Sequence, residues 1–209
     1  MYLPDHFAAP STRDIHEAMV AANIGELVTF DSTSLTGSTL PWVLDGNRGE
    51  FGTLRGHVAR ANPQWQTAVA NVDALVIFHG PDAYVSPSMY PSKPRHGRVV
   101  PTWNYVTVHA SGPLVIRDDA AWVEQLVRDL TTIHESMRSE PWSVDDAPRN
   151  YLDAMIGQIV GVEIPITKLD GKWKLSQNRA EEDHAGATAA LAGGTPTDQA
   201  VAKLMAEPG

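Results

Sequence analysis

Apolar and polar residues alternate along most of this chain, the rhythm of strands that bury one face. The alternation marks GELVTFDS (25–32), STLPWVLD (38–45), EFGTLRGHV (50–58) and DALVIFHG (73–80), with GNRG (46–49) as a turn inside a β-meander. VVPTWNYVTVHASGP (99–113) is a further run, broken by Gly112-Pro113 before LVIRD resumes an extended course. QIVGVEIPITKL and KWKLSQN, joined through Asp170-Gly171, predict a hairpin, because Asp-Gly suits the left-handed dihedrals of a tight turn. A longer, helical rhythm appears in four places. STRDIHEAMVAA (11–22) has a Ser/Thr start with Ile15, Met19 and Ala22 at helical spacing, and Asn62-Pro63 opens a short helix in ANPQWQTAVA. Asp118 or Asp119 caps AAWVEQLVRDLTTIHESM, with Trp122, Leu126, Leu130 and Ile133 along one face, and RNYLDAMIG follows the connector PWSVDDAP.

Between positions 81 and 101 five prolines stop a strand near Ser86 and impose an irregular loop. About eight strands with inserted helices predict a mainly β fold, an antiparallel β-barrel with flanking helices, rather than a doubly wound parallel sheet. Beyond Arg179 the composition shifts to Ala, Gly, Glu and Thr. Residues 1–180 are therefore expected to form the barrel domain, and 181–209 a partly helical tail, mobile or packed on a partner.

Composition narrows the functions. With 209 residues, 43% of them hydrophobic, the chain can bury one sizeable core. No apolar run approaches the roughly 20 residues needed to cross a bilayer, and the start, MYLPDHFAAP, lacks a basic region followed by an apolar one, so the chain reads as cytoplasmic. A net charge of −9 without a basic stripe disfavours direct binding to DNA or to an anionic membrane. Cysteine is absent, which excludes disulfides and thiolate nucleophiles. His134-Glu135 lacks a second His four residues on, so no zinc-protease helix is present and no metal site is assigned.

Four segments carry polar groups where a plain barrel would place core. In GTLRGHVARANP (52–63), Arg55, His57 and Arg60 lie near a helix start, a combination suited to phosphate, although exposed Arg on a loop gives the same pattern. YVSPSMYPSK brings Ser86, Ser88, Tyr90 and Lys93 into a proline-stiffened loop. In VVPTWNYVTVHASGP, Thr102, Asn104 and His109 enter a buried strand, where neighbouring backbone or a bound cofactor must meet them. In GKWKLSQNR, alternation places Lys172, Lys174 and Ser176 on one face and Trp173, Leu175 and Gln177 on the other. Lysines on an edge strand commonly oppose aggregation, a reason that does not extend to Gln177 and Asn178.

In order and spacing, YLPDHF, STLPWVLD, GTLRGHVARANPQW, ALVIFHGPDAYVSPSMYPSK, VVPTWNYVTVHASG, LTTIHE and GKWKLSQNR resemble the PaiB family, FMN-binding negative transcriptional regulators. The resemblance implies a split β-barrel of the pyridoxamine-phosphate-oxidase type, a homodimer, and FMN bound where two subunits meet. Two departures stand out: Thr39 replaces a family His, which removes an imidazole, and Met89 replaces a Trp that could stack on or seal a flavin pocket. Carried onto this sequence, the resemblance gives the phosphate to the turn from His57 to Asn62, with Arg60 as its main cation. Thr39, Leu40, Thr53 and Leu54 would run along the ring system. Thr102, Trp103, Asn104, Tyr105, Lys174 and Gln177 would come from the second subunit, and Lys93 is added from the loop. Trp103 and Trp173 read equally as core or interface anchors. No catalytic residue is assigned. The functions implied are a regulator acting indirectly, a flavin-dependent oxidoreductase using a nicotinamide or other small molecule, or a haem protein with a His axial ligand.

Overall fold

The computed structural model describes residues 1–207. In chain order the strands are β1 (Ile24–Phe30), β2 (Leu35–Pro41), β3 (Val43–Asp45), β4 (Thr53–Ala59), β5 (Ala74–Val85), β6 (Thr102–Gly112), β7 (Val115–Arg117), β8 (Ile159–Pro165) and β9 (Lys168–Lys174). The helices are α1 (Thr12–Ala22), α2 (Gln64–Thr67), α3 (Lys93–His96), α4 (Ala120–Glu135), α5 (Arg149–Ile156), α6 (Glu181–Ala192) and α7 (Pro196–Ala206). The chain divides into two compact units, one made of 1–18, 79–108 and the residues from 170 on, the other of 19–78 and 109–169.

In the unit of 19–78 and 109–169, β1 pairs antiparallel with β2 from Ile24↔Pro41 to Phe30↔Leu35, and with the start of β5 at Glu26↔Ile77. A second sheet has the order β3-β4-β8-β7, with every neighbouring pair antiparallel. STLPWVLD, expected as one strand, is split at Trp42: the residues before it pair with β1 and those after it with β4. The indole explains the break, since Trp42 is buried and its Nε1–H donates to the Gly25 carbonyl at 3.2 Å, turning the chain from one sheet to the other.

Asp119, rather than Asp118, caps α4, its carboxylate accepting the Trp122 N–H at 2.8 Å. Leu126 and Leu130 pack on Val43, and Val123 packs with Val144, Leu152 and Ile156. Each such side chain contributes about 1.5–3 kcal/mol by leaving water. Ile133, expected on the same face, is exposed.

Two buried polar groups tie this unit together. Gln64 donates through Nε2 to the carbonyls of Leu27 and Thr36 and to the Thr29 hydroxyl, all within 3.1 Å. Glu163 on β8, 1% exposed, accepts both terminal nitrogens of Arg48 (2.8 and 3.0 Å) and one from Arg117 (2.8 Å). Burial pushes the Glu163 carboxyl up, but the hydrogen bonds from Arg117 and Arg48 outweigh it and hold the group below the ordinary glutamate range.

The other unit is built on the distal part of β5, β6 and β9, in that order. The expected hairpin at Asp170-Gly171 is not formed: both residues lie inside β9, and β8 and β9 belong to different sheets. Gly171 serves close packing instead. A Cβ there would fall 2.6 Å from Ile15, 2.8 Å from Trp173 and 2.9 Å from Ala9, so only glycine lets α1 and the amino-terminal segment approach the strand.

The stretch expected as a tail forms α6 and α7, with Ala187, Leu191, Val201, Ala202 and Met205 buried; positions 208 and 209 lie outside the described residues. Thr195 and Asp198 form a reciprocal capping box at the start of α7. α6 is moored to the proline-rich loop by Asp183, whose carboxylate accepts the Ser92 N–H at 3.0 Å and the Ser92 hydroxyl at 2.7 Å.

Candidate functional site

Alternation along β5, β6 and β9 gives their sheet two chemically different faces. Ala83, Val85, Asn104, Val106, Val108, Gly171 and Trp173 point inward. The opposite face carries Tyr84, Trp103, Tyr105, Lys172 and Lys174. Trp103 is 54% exposed and Tyr84 46%, and their rings meet edge to face with centroids 5.6 Å apart. Set edge to face at 62°, the two rings form a corner rather than a flat surface, and a planar ligand can stack on one of them, the more exposed Trp103.

Beside the rings lies a group of cations. Lys174 donates from Nζ to the Thr102 hydroxyl at 2.6 Å and to the Trp103 carbonyl. Lys172 and Lys174 approach the Tyr105 ring, with Nζ 5.6 and 5.8 Å from its centroid. Arg179 sits over the ring of Tyr90 at 5.2 Å. Burial, then repulsion from Lys172 and Arg179, holds the Lys174 ammonium below the usual lysine range. Among the described residues no carboxylate is paired with Lys172, Lys174 or Arg179.

Of the residues expected to touch a cofactor, Thr102, Trp103, Tyr105 and Lys174 come together on this face. Asn104 and Gln177 do not present free groups there. Asn104 is fully buried, its Oδ1 accepting from Ser176 Oγ at 3.0 Å and its Nδ2 donating to the Met205 sulfur at 3.3 Å. Gln177 folds onto its own turn, donating to the Trp173 carbonyl and accepting the Leu175 N–H. Ser176, with φ of 66°, ends the strand geometry, so the expected alternation fails here: Ser176 is buried and Gln177 exposed. Lys93 opens α3 and lines a cavity of about 710 Å³ with Ser88, Met89, Tyr90 and two residues of α6. Tyr90 is itself buried, and its hydroxyl has no hydrogen-bond partner among the described residues.

The remaining expected positions fall in the other unit. Thr53 and Leu54 are core, the Thr53 hydroxyl donating to the Arg48 carbonyl. Leu40 is buried and Thr39 exposed on β2. His57 lines a cavity of about 350 Å³ with Pro41, Val127, Leu130, Thr131, His134, Glu135 and Trp142; its Nδ1 is buried without a partner among the described residues, and burial lowers its pKa. Arg60 donates to both Asp118 oxygens (2.6 and 3.1 Å), to the Gly157 carbonyl (2.8 Å) and to the Ile159 carbonyl (3.2 Å). Asn62 accepts the Gln64 N–H and donates to Ser38. The turn that the phosphate assignment relied on is thus occupied by the protein's own groups. Sequence reasoning passed over Lys172, Arg179 and Tyr84, although alternation already set Lys172 and Lys174 side by side.

FMN requires cations or N–H donors at its phosphate and an apolar or aromatic wall for its tricyclic ring. The exposed ring of Trp103 and the cations Lys172, Lys174 and Arg179, which have no carboxylate partner among the described residues, fit those two demands. Antiparallel sheets with flanking helices define the fold class as a split β-barrel. Residues 1–168 match the family described as "Putative FMN-binding domain", and the chain belongs to that family.

Among its relatives, "Protease synthase and sporulation protein PAI 2" of Bacillus subtilis is 32% identical, over 88% of this chain and 86% of the relative, in line with the PaiB resemblance. An uncharacterized protein of Aspergillus fumigatus is 34% identical, over 76% of this chain and 73% of the relative. The FAD and heme binding protein from Mycobacterium smegmatis shares the fold at a TM-score of 0.59 and 15% identity, covering 90% of this chain and 80% of that one. The flavocytochrome Anf3 from Azotobacter vinelandii does so at 0.56 and 13%, covering 86% and 75%. Among the described residues no helix is long and apolar enough to cross a membrane.

Proposed function

We propose that this chain binds FMN on the outer face of β5, β6 and β9, as a cytoplasmic homodimer, and acts as a regulator through the state of the flavin rather than by contacting DNA. The observation that carries the reading is the pairing, on one sheet face, of two exposed aromatic rings with cations that lack carboxylate partners among the described residues. FMN, when bound, supplies redox-active and light-absorbing chemistry that the side chains lack. The chain's own part is to stack the ring on Trp103, which Tyr84 buttresses edge-on, and to neutralise the phosphate. The net charge of −9 supports an indirect mode of regulation, since a protein gripping DNA neutralises phosphates with Lys and Arg. The name of the Bacillus subtilis relative, "Protease synthase and sporulation protein PAI 2", supports a regulatory role.

The test is the absorption spectrum of freshly purified protein, with mass spectrometry of what heat releases. A flavin spectrum and released FMN support the reading; a colourless protein that takes up no added FMN overturns it. Light scattering tests the homodimer, and tight, sequence-specific DNA binding in a gel shift at physiological salt would refute indirect action. Bleaching of the bound flavin by NADH or NADPH would make the protein an oxidoreductase.

A further inference from the structure

Segments far apart in the chain enclose a cavity of about 530 Å³: the amino-terminal stretch, the start of α1, the end of β9, and α6 with α7. All of them belong to the unit of 1–18, 79–108 and the residues from 170 on. Alternation along β9 sends Trp173 to this side and Lys172 and Lys174 to the other. The cavity is therefore separate from the face that carries Trp103 and the cations.

Its floor is apolar, with Trp173 and Met205 both more than nine-tenths buried. A buried indole ordinarily finds an acceptor for its N–H. Trp42 gives its N–H to the Gly25 carbonyl and Trp65 gives its own to the Arg60 carbonyl, but the Nε1–H of Trp173 has no acceptor among the described residues. Nor is that N–H sealed inside the protein, and the open space that Trp173 lines is this cavity.

The rim is acidic. Asp14 and Glu207 lie on it, no lysine or arginine lines the cavity, and among the described residues neither carboxylate has a cationic partner. One oxygen of Asp14 accepts the Ser11 hydroxyl and the other accepts nothing. His6 and His184 add two imidazoles. Such a donor set suggests a metal ion, but among the described residues no three of these groups are placed to hold one. The fitting occupant is organic: free carboxylates attract a cation, the indole N–H needs an acceptor, and a floor of indole and thioether favours an apolar body.

We propose that this cavity is a second ligand site, which takes an organic ammonium with an aromatic or other apolar body and a hydroxyl or carbonyl acceptor. The ammonium goes to Asp14 and Glu207, the acceptor to the Trp173 N–H, and the body onto the floor. The inference is independent of the flavin reading.

The test uses calorimetric titration of the full chain at low salt with three probes of one shape: tyramine, a cation; tyrosol, its neutral alcohol; and 4-hydroxyphenylacetate, an anion. Tyramine should bind roughly tenfold or more tightly than tyrosol, and the anion should bind most weakly. The double variant Asp14→Asn with Glu207→Gln should hold tyramine and tyrosol equally. Glu17→Gln, on the same helix but outside the cavity, should leave the ratio where it was. 2-Phenylethylamine, which lacks the ring hydroxyl, should bind about two- to tenfold more weakly than tyramine, and that difference should vanish in Trp173→Phe. Excess FMN should not displace tyramine. Thermal melting checks that each variant is folded, and the ranking of the three probes on the unmodified protein needs no variant. Equal affinity for tyramine and tyrosol, a preference for the anion, no binding of any probe at millimolar concentration, or a cation preference that survives the double variant would each overturn the inference.

Discussion

Replacing Glu163 by Gln keeps the shape of a buried side chain and removes the charge on which Arg48 and Arg117 converge. The carboxylate is 1% exposed, whereas the two arginine side chains are 49% and 37% exposed. Breaking a buried ion pair by removing one partner costs about 3–5 kcal/mol. Both guanidinium groups can return partly to water, so the cost falls at or just under the bottom of that range, about 2–3 kcal/mol. At roughly 2–4 °C per kcal/mol for a chain of this size, the melting temperature should fall by about 4–12 °C. The dependence on pH is diagnostic. Because the folded carboxyl titrates below its unfolded value, its contribution is complete above about pH 4.5 and is lost as pH falls through the folded pKa. Circular-dichroism melts of the two proteins should therefore differ fully at pH 7 and converge toward pH 3. A difference below about 0.5 kcal/mol at pH 7, or one that stays constant down to pH 3, would refute the assignment of net stabilisation to this triad.

Gln64→Ala removes three hydrogen bonds from one buried amide and strands two carbonyls, so urea denaturation should show a loss of about 2–4 kcal/mol. Gly112→Ala would set a Cβ 2.0 Å from the Pro165 carbonyl oxygen, a clash with backbone, and the variant should express as insoluble protein while a distant surface change such as Arg13→Ala does not. Asp183→Ala frees the N–H and hydroxyl of Ser92; limited proteolysis should then cut within α6 faster than in the parent, and the parent should approach that rate as acid protonates Asp183. The bond from the Ser92 hydroxyl is the main cause of that carboxyl's depressed pKa, so the anchor is present above the ordinary aspartate range and lost below the folded value. Trp103→Ala should weaken flavin binding by roughly two- to tenfold, from lost stacking, with no change in melting temperature because the ring packs on the surface.

Most strands were legible because their alternation is a local property. β1, β4 and the long β6 lie within a few residues of the runs that predicted them, and the Asp119 cap of α4 was one of two readable choices. At Gly171 and Arg60 a local signal was outvoted by residues far away in the chain. Asp-Gly at 170–171 has the chemistry of a turn, yet Gly171 is there because Ile15 and Ala9 press on it from more than 150 residues away. Arg60 looks like a free cation until Asp118, 58 positions on, is known to neutralise it. Gln177 seemed spare because no sequence rule announces a side chain that closes its own strand end. Lys172 was visible, but without Tyr105 and Arg179 beside it a lysine on a strand has a sufficient explanation in solubility.

The two-sided character of β6 and β9 gives the scaffold a degree of freedom. Side chains that hold the sheet together and side chains that face outward occupy alternate positions of the same strands, so one set can be rewritten while the other is kept. Trp103, Tyr105, Lys172 and Lys174 could be exchanged for residues matching a different planar anion, with Asn104, Val106, Gly171 and Trp173 still supplying the packing. A library confined to those four codons would sample new specificities on a backbone whose folding it scarcely touches.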